Sequence, residues 1–346
     1  MKYADMAVPS RALHLWRYTP WTRIHPTKVE ELPEASPVSF TVSTGDELIE
    51  GAPRIIDAED ISRVFLSELA SQAYTVETSG EQEILRVQAE ANGQYAVGHI
   101  HFVLKHDVAV LLHLSGQSEW TGLHITGEVG PNVRAAFGLV NDLESETKLL
   151  HCEDWNVHRD ATLELAGLSI GGLRCKSDVR TRLTASGATL RQAISVHGLS
   201  KRHVDHHIEI HHDVAHTDSS LNVHAACDDR SHSIATGLLT IAEHANHCDA
   251  GQVFRNLLLS ETARAEAIPE LEVLADEVAA AHGAASAPVD KHQLHYLMSR
   301  GLDEETAIAL LVEGFMQDGF SSLENEGFVA EIRAQLAIHL EEELKR

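Results

Sequence analysis

The pattern of apolar and polar positions divides the chain into three regions, the first of which covers residues 1–97. Pro-containing loops there precede a stretch with the 3.6-residue period of a helix, which predicts a helix over Asp57–Tyr74. The rest of the region has no sustained period, so we assign it a mixed α/β structure. The apolar positions that carry the helical period are Ile61, Val64, Phe65 and Leu69.

In the central region, residues 98–267, short apolar runs separated by Gly, Asp, Asn and Ser replace the helical period. Their recurrence roughly every 8–12 residues predicts a mainly β sandwich, barrel or solenoid. Asn-Gly and Asp-Gly hairpin dipeptides are nearly absent, whereas a parallel β-helix forms its corners without hairpins. We therefore predict a parallel β-helix, with an antiparallel sandwich as the alternative. The runs include DVAVLLHLSG, ATLELAGLSIGG, ATLRQAISVHG and HSIATGLLTIAE.

The third region, residues 268–346, returns to the helical period and predicts a C-terminal helical domain. Its segments are KHQLHYLMSRG, DEETAIALLVEGFMQDGF and a final helix from Asn325 to Lys345. Asp303 is placed to cap the middle helix. The final helix has one continuous apolar face, which we expect to pack in the core or, as a second possibility, to meet a partner. That face consists of Phe328, Ile332, Leu336 and Leu340.

Composition narrows the classes of function. The 346 residues include 52 acidic and 27 basic side chains, a formal charge of -25, which argues against a general nucleic-acid or anionic-membrane binder. No apolar run reaches the roughly 18 residues of a membrane span, and the N-terminus lacks the apolar core of a signal peptide, so we expect a cytoplasmic protein. The four cysteines form no CxxC pair, so neither a disulfide scaffold nor a cysteine zinc site is indicated.

Histidine is the unusual residue of this composition, with 24 copies and a cluster in KRHVDHHIEIHHDVAH, residues 201–216. Apolar and polar residues alternate there, which predicts a half-buried strand and not a metal-chelating helix. The strand would project His207, Glu209 and His211 from one face, where two imidazoles and a carboxylate could hold a divalent metal. The alternative is a polar strand face without a metal. In that case His206, His212 and His216 would pack and form hydrogen bonds beside the apolar residues.

Other motifs predict no catalytic chemistry. GLSIG, residues 167–171, matches the form of a GxSxG nucleophile elbow, but another strand-like run follows it where that elbow needs a helix. Ser169 is therefore expected to be structural. The sequence contains no GxxxxGK[ST], so this chain does not bind ATP through a P-loop.

Several short elements in one order resemble the SufB/SufD family of iron-sulfur cluster assembly proteins, and most closely its SufD-type members. HHDVAHTDSS is similar to the family's His-rich strand, and WRYTP at residues 16–20 is similar to a SufD-type motif. The strongest similarity follows residue 256. Its elements are Leu257–Ser260, Pro269–Glu272, Ala275–Val278, His282–Ala284, Asp290 and Tyr296–Gly301.

The sequence departs from the family pattern at positions that carry chemistry. SufD-type members usually have a Cys where this chain has Ala280 and a Thr where it has Ala285. SufB-type members have a functional Cys near the position that aligns with Leu257. These differences favour a SufD-type or divergent role. Thiolates are the usual cluster ligands, and the absence of these cysteines leaves His282 as the candidate residue for cluster assembly or iron ligation.

The resemblance implies a right-handed parallel β-helix with a C-terminal helical domain, and a non-enzymatic scaffold subunit. Such a subunit would pair with a SufB-like homologue or with itself, through an edge expected near Ser231–Val253. It would dock a SufC-like ABC ATPase through its C-terminal helices, near Asp290–Glu343. No cofactor would be bound stably by this chain alone, although a complex could hold an iron-sulfur cluster transiently. The alternative is a self-associating, metal-binding β-solenoid that uses the His-rich strand.

Overall fold

The structure, a computed structural model, describes residues 2–43, 48–54, 56–78 and 82–343. Within these residues the chain forms strands β1–β19 and helices α1–α5, preceded by short 3-10 turns at Tyr3–Asp5 and His14–Trp16. The helices are α1 (Trp21–Ile24), α2 (Ile61–Leu69), α3 (Lys291–Ser299), α4 (Glu304–Asp318) and α5 (Glu326–Glu343).

The strands run in chain order from residue 36 to residue 288, with α1 before them and α3 to α5 after them. They are β1 (Ser36–Pro37), β2 (Ser39–Val42), β3 (Leu48–Gly51), β4 (Ala73–Glu77), β5 (Gln82–Glu90), β6 (Gly93–Leu104), β7 (Val108–Gly116), β8 (Ser118–Val129), β9 (Arg134–Leu143), β10 (Lys148–Val157), β11 (Thr162–Ser169), β12 (Arg174–Leu183), β13 (Thr189–Gly198), β14 (His203–His212), β15 (Asp218–Cys227), β16 (His232–Ile241), β17 (Asp249–Leu258), β18 (Arg264–Val273) and β19 (Ala279–Pro288).

These strands form a parallel β-solenoid of about eight turns, which confirms the predicted fold class. Alternate strands fall into two sheets. Sheet A is ordered β18-β16-β14-β12-β10-β8-β6-β4-β3, and sheet B is ordered β19-β17-β15-β13-β11-β9-β7-β5-β2. Among the described strands, every pair from β4 to β19 is parallel. At the N-terminal end, β2 pairs antiparallel with β5, and β3 pairs antiparallel with β4. The antiparallel sandwich is therefore wrong.

The interior of the solenoid is built from columns of residues that occupy equivalent positions in successive turns. One such column in sheet A runs Leu104, Val129, Val157 and Leu183, all fully buried. His212 takes the next place in this column, and its two ring nitrogens meet Thr217 Oγ1 and Ser219 Oγ, each at 2.7 Å. A polar side chain is tolerated inside the column because both its nitrogens have partners.

The corners between the sheets use residues with left-handed backbone, as the predicted role of Asp and Asn at corners requires. Asn132, Asp160 and Asp229 have φ near +60° without being glycine, and so do the corner histidines His216 and His247. His216 is exposed at its corner, so the expectation that it packs beside the apolar residues is wrong.

Each sheet has its outer face covered by one end of the chain. The N-terminal region covers sheet A, where Trp16, Trp21 and Phe65 pack over Trp120 and Leu150. α4 and α5 cover sheet B. Buried side chains of the two helices and of the turn between them pack against small and apolar residues of sheet B. They include Met316 of α4, Phe320 of the turn and the four predicted face residues of α5, Phe328, Ile332, Leu336 and Leu340. The apolar face of α5 is therefore part of the core.

The observed ends of several elements differ from the predicted ones. The solenoid strands extend beyond residues 98–267 on both sides, from β4 to β19, because the strand-forming alternation of apolar residues begins earlier and an Ala-rich strand without that alternation ends it. α2 is shorter than Asp57–Tyr74, since the Asp60 side chain caps it by accepting from the backbone N–H groups of Ser62 and Arg63. Asp303 caps α4 as predicted.

We expect Leu336→Ala in α5 to lower the free energy of unfolding by about 2–5 kcal/mol, because Leu336 is fully buried against sheet B. Ile338→Ala, two residues away on the same helix, is the matched control, since Ile338 is 53% exposed. Its effect should stay within about 0.5 kcal/mol. Urea unfolding of both variants measures the difference, and equal effects would mean that α5 is not docked on the sheet.

Candidate functional site

The outer face of sheet A carries two adjacent columns of ionisable side chains. In the first column, the successive turns place His99, His124, Cys152, Asp178 and His207 in register. A β-strand exposes alternate residues on each face, so the polar residues of several turns come together although they are far apart in sequence. The second column, two residues further along each strand, runs His101, Thr126, Asp154, Arg180 and Glu209.

Arg63 of α2 joins the N-terminal region to these columns. Its side chain is fully buried, with Nη1 at 2.6 Å from Asp178 Oδ2 and Nη2 at 2.8 Å from Asp154 Oδ1. Asp60, the cap of the same helix, lies 3.5 Å away. The three carboxylates raise the pKa of the guanidinium against the opposing effect of burial, which is the larger single influence. A buried cation with this many partners fixes α2 on the sheet.

Arg180 is the second cation of the cluster and contacts four carboxylates. Its Nη2 lies 2.8 Å from Asp178 Oδ2 and 2.8 Å from Asp60 Oδ2, and its other nitrogens approach Asp57 at 3.3 Å and Glu209 at 3.7 Å. Although burial opposes ionisation, the guanidiniums of Arg63 and Arg180 hold the pKa of Asp178 well below its usual range. Asp178 is therefore a carboxylate at neutral pH.

The predicted metal residues lie together on β14. His207 Nε2 is 2.9 Å from Glu209 Oε1, and His211 Nε2 is 3.1 Å from Glu209 Oε2. The strand prediction is confirmed, and the three side chains share its outer face. The group whose ligand atoms converge within 4.8 Å of one another is Asp178, His207 and Glu209, so Asp178 and not His211 completes it.

A small cavity inside the solenoid holds a second polar group. It has a volume of about 40 Å³ and its lining includes His151, Ser177, Gln192 and His206. Neither ring nitrogen of His206 has a hydrogen-bond partner within the described residues, so the expected hydrogen bonds of His206 are not found there. Burial lowers the pKa of His206 to about 4. The polar lining and the volume suit a few water molecules.

The predicted site residue His282 lies far from the His-rich face. It is exposed in the middle of β19, where it is in register with Gln252 of β17. β19 is the last strand of sheet B, and β18 is the last strand of sheet A. Strands in the range Ser231–Val253 have neighbours on both sides, so the open edge lies at β18 and β19 and not in that range.

Residues 85–315, about two thirds of the chain, match the family described as the SUF system FeS cluster assembly, SufBD core domain. This match covers the solenoid from β5 to β19 together with α3 and most of α4. The chain belongs to the SufBD family. It is the family that the sequence resemblance indicated, and the SufBD core domain corresponds here to the parallel solenoid.

Similarity to individual SufBD proteins is moderate. The chain is 24% identical to the iron-sulfur cluster assembly protein SufD of Escherichia coli, over 72% of this chain and 60% of that protein. It is 31% identical to SufD of Bacillus subtilis, over 62% of this chain and 49% of that protein. A SufBD family protein of Mycobacterium bovis is 24% identical over 98% of this chain and 90% of its own length. The chain thus spans about half to three fifths of the length of the two SufD proteins.

No helix in the described part of this SufBD chain is long and apolar enough to cross a membrane.

Sequence reasoning missed Arg63, Asp178 and Arg180, the residues that surround the His-rich strand. Arg63 lies in the first turn of α2, and its charge gives no sign in the sequence that it is buried. Asp178 and Arg180 do belong to an alternating segment, RCKSDVRTRL, which forms β12. A register between this segment and HVDHHIEIHH would have placed Asp178 beside His207, but the turn length that sets the register is not constant.

Buried histidines should make this SufBD protein acid-sensitive, and His99 offers a clean test. Burial first, and His124 second, lower the pKa of His99 to about 3. Because this lies below the unfolded value of about 6.5, the unfolded chain takes up a proton that the folded chain does not. His99 therefore has no linked effect on stability above about pH 6.5 and lowers it as the pH falls from there toward 3, by about 1.4 kcal/mol per pH unit.

We expect His99→Leu to reduce the slope of unfolding free energy against pH by about that amount between pH 4 and 6. At pH 7 the variant should be at least as stable as the parent, because neither ring nitrogen of His99 has a hydrogen-bond partner within the described residues. His247→Gln, at an exposed corner, is the control and should leave the slope unchanged. Urea unfolding at several pH values makes the measurement, and an unchanged slope for His99→Leu would contradict it.

Proposed function

We propose that this SufBD chain is a SufD-like, non-enzymatic scaffold subunit of a SUF iron-sulfur cluster assembly complex. It pairs with a SufB-like homologue, or with a second copy of itself, and docks a SufC-like ABC ATPase. The observation that carries the proposal is the open C-terminal end of the solenoid, where β18 and β19 lie inside the matched core domain, β18 partly buried and β19 largely exposed. The complex would act in the cytoplasm and hold any cluster transiently.

The open end differs from the N-terminal end in how it is finished. At the N-terminal end, the antiparallel strands β2 and β3 close the two sheets. At the other end, β18 pairs with β16 and β19 pairs with β17, and no described strand covers their far sides. An unpaired strand edge is a template for pairing with another chain. The Ala-rich sequence of β19 leaves its backbone accessible to such a partner.

His282 would lie at that junction. It is the one residue of β19 with a side chain able to ligate iron, and small residues flank it on both sides. Because the side chain is exposed, the strand does not depend on it for packing. A partner strand that paired along β19 would place its own side chains beside the imidazole.

The packing of α5 on sheet B limits where the ATPase could bind. The apolar face of α5 is buried on sheet B, so a docking surface on the C-terminal helices must use their outer faces and α3. α3 has no buried residue, and Tyr296 and Met298 are 56% and 40% exposed. Since this chain has no P-loop, nucleotide hydrolysis would come from the partner.

The alternative is a self-associating, metal-binding solenoid, which the convergence of His207 and Glu209 favours. Anaerobic co-expression of this chain with SufB-like and SufC-like genes, followed by metal and sulfide analysis, separates the two functions. The scaffold proposal expects a complex of this chain with the SufC-like chain, which also contains the SufB-like chain or a second copy of this one. Purification of this chain alone, as a homo-oligomer that ignores both partners, would support the alternative.

Pairing through β19 is tested by Ala284→Pro. The Ala279 N–H bonds to Cys248 O, so the alternation along the strand directs the 284 amide away from β17, toward the free edge. Proline there removes an edge donor without removing a bond to β17. We expect the melting temperature of this variant to stay within a few degrees of that of the parent. The amount of homologue recovered in pull-down should fall by at least about 90%, because the edge that pairs with it is blocked. Ala284→Ser is the control, and full retention of the partner by the proline variant would exclude this edge.

His282→Ala tests the role of the imidazole. We expect unchanged melting and unchanged partner binding, because the side chain is exposed, together with a strong loss of cluster assembly in cells. The measurements are thermal unfolding, pull-down and the activity of an iron-sulfur enzyme in a strain that depends on this gene. Normal assembly, or loss of stability, would assign His282 a structural role. His106→Ala is the matched control, because His106 is also exposed but lies outside β19 and the C-terminal helices.

A further inference from the structure

We propose that Asp178, His207 and Glu209 bind a divalent ion of the first transition series on the outer face of sheet A. This site is separate from the open edge and from His282, and it does not rest on the proposed scaffold function. Three features of the described structure support it: convergent ligands, an oriented imidazole, and more carboxylates than arginines at a site that borders a groove.

The three side chains each direct one ligand atom to a common point. Asp178 and His207 are neighbours across the β12–β14 pair, and Glu209 is the next outward residue along β14. Their ligand atoms lie within 4.8 Å of one another. Bonds of about 2.0–2.2 Å in a tetrahedral site separate the ligand atoms by roughly 3.3–3.6 Å, so the widest-spaced pair would have to approach by no more than about 1.5 Å.

The His207 ring is oriented as in many metal sites. Its Nδ1 lies 2.7 Å from Thr236 Oγ1, and the Thr236 hydroxyl itself faces the His206 carbonyl at 3.5 Å. When Thr236 donates to that carbonyl, His207 can donate from Nδ1 and keep the Nε2 lone pair for a metal. Nε2 lies 2.9 Å from Glu209 Oε1, so without a metal a proton shared by these two atoms takes the same place.

Charge around the site favours a cation. The two guanidiniums of Arg63 and Arg180 face five carboxylates, which leaves three negative charges without a partner among the arginines. These carboxylates are Asp57, Asp60, Asp154, Asp178 and Glu209. The guanidiniums already contact the oxygens of Asp178, so an ion would share that carboxylate with them. Glu209 would then be the stronger carboxylate ligand. The donor set of one imidazole and two carboxylates, without thiolate, suits Mn²⁺, Fe²⁺, Co²⁺ or Zn²⁺.

A groove between the N-terminal segment, residues 2–24, and sheet A gives the ion a route to the site. The groove has a volume of about 760 Å³, and His207 and Glu209 lie in its wall with Asp60. His14 stands opposite, with its ring 5.9 Å from that of His207 and its Nδ1 2.9 Å from Glu270. Among its apolar residues the groove lining therefore contains two imidazoles and four carboxylates, which attract divalent ions.

The test uses full-length protein without a histidine tag and Co²⁺ as the probe, followed by visible absorption and calorimetry. The unsubstituted protein should show one saturable site. His207→Gln and Glu209→Gln should weaken it at least about tenfold while leaving the circular dichroism spectrum unchanged. His216→Gln and Glu144→Gln are matched controls, because both residues are exposed at corners away from the groove, and they should bind as the parent does.

Two outcomes would overturn the proposal. One is binding that His207→Gln leaves unchanged or that His216→Gln abolishes, which would assign the ion to the exposed His216–His247 pair. The other is absence of a saturable site in the parent, which would make the bridging cation a proton. If the two substituted proteins fail to fold, NMR of the unsubstituted protein decides. Co²⁺ at this site would broaden the His207 ring signals before those of His216, and the reverse order would exclude it.

Discussion

The structure depends on the parallel register between one turn of the solenoid and the next. Each strand pairs along its length with the strand of the following turn, so a side chain meets the residue at the equivalent position above and below it. Lys148, Arg174 and His203 occupy one position in consecutive turns of 26 and 29 residues. Inside, this register stacks apolar residues into continuous columns. On the outer face, the same register assembles a polar cluster from residues of five strands.

The polar cluster also requires a cover. Arg63 is fully buried although it carries a charge, and it is held there because its carboxylate partners come from both α2 and the sheet. A charge removed from water is costly unless it is paired and hydrogen-bonded. The N-terminal region therefore does more than hide an apolar surface. It supplies the cation that makes the carboxylates of β10 and β12 tolerable beneath it.

The sequence predicts those parts of the molecule that depend on local pattern. The alternation in HVDHHIEIHH predicts β14 and the shared face of His207, Glu209 and His211, and Asp303 marks the start of α4. The sequence does not predict which residues of neighbouring strands lie side by side. Turn length varies with the corners, so the contact between Asp178 and His207 could not be derived without the register. β19 was missed for a different reason, because a strand with almost no buried side chain has no alternation to detect.

The order of the elements has a consequence for how the protein is made. α5 follows all the solenoid strands along the chain, yet it packs on β5, β9 and β11, which belong to the early and middle turns. Those turns can stack as they emerge from the ribosome, but this part of the outer face of sheet B stays bare until α5 has been synthesised. Ala109, Ala136, Ala166 and Leu168 would then lie open to water for most of synthesis. A nascent chain of this kind would be a substrate for chaperones that bind apolar surfaces, and one that stalls before Phe328 would be prone to aggregate.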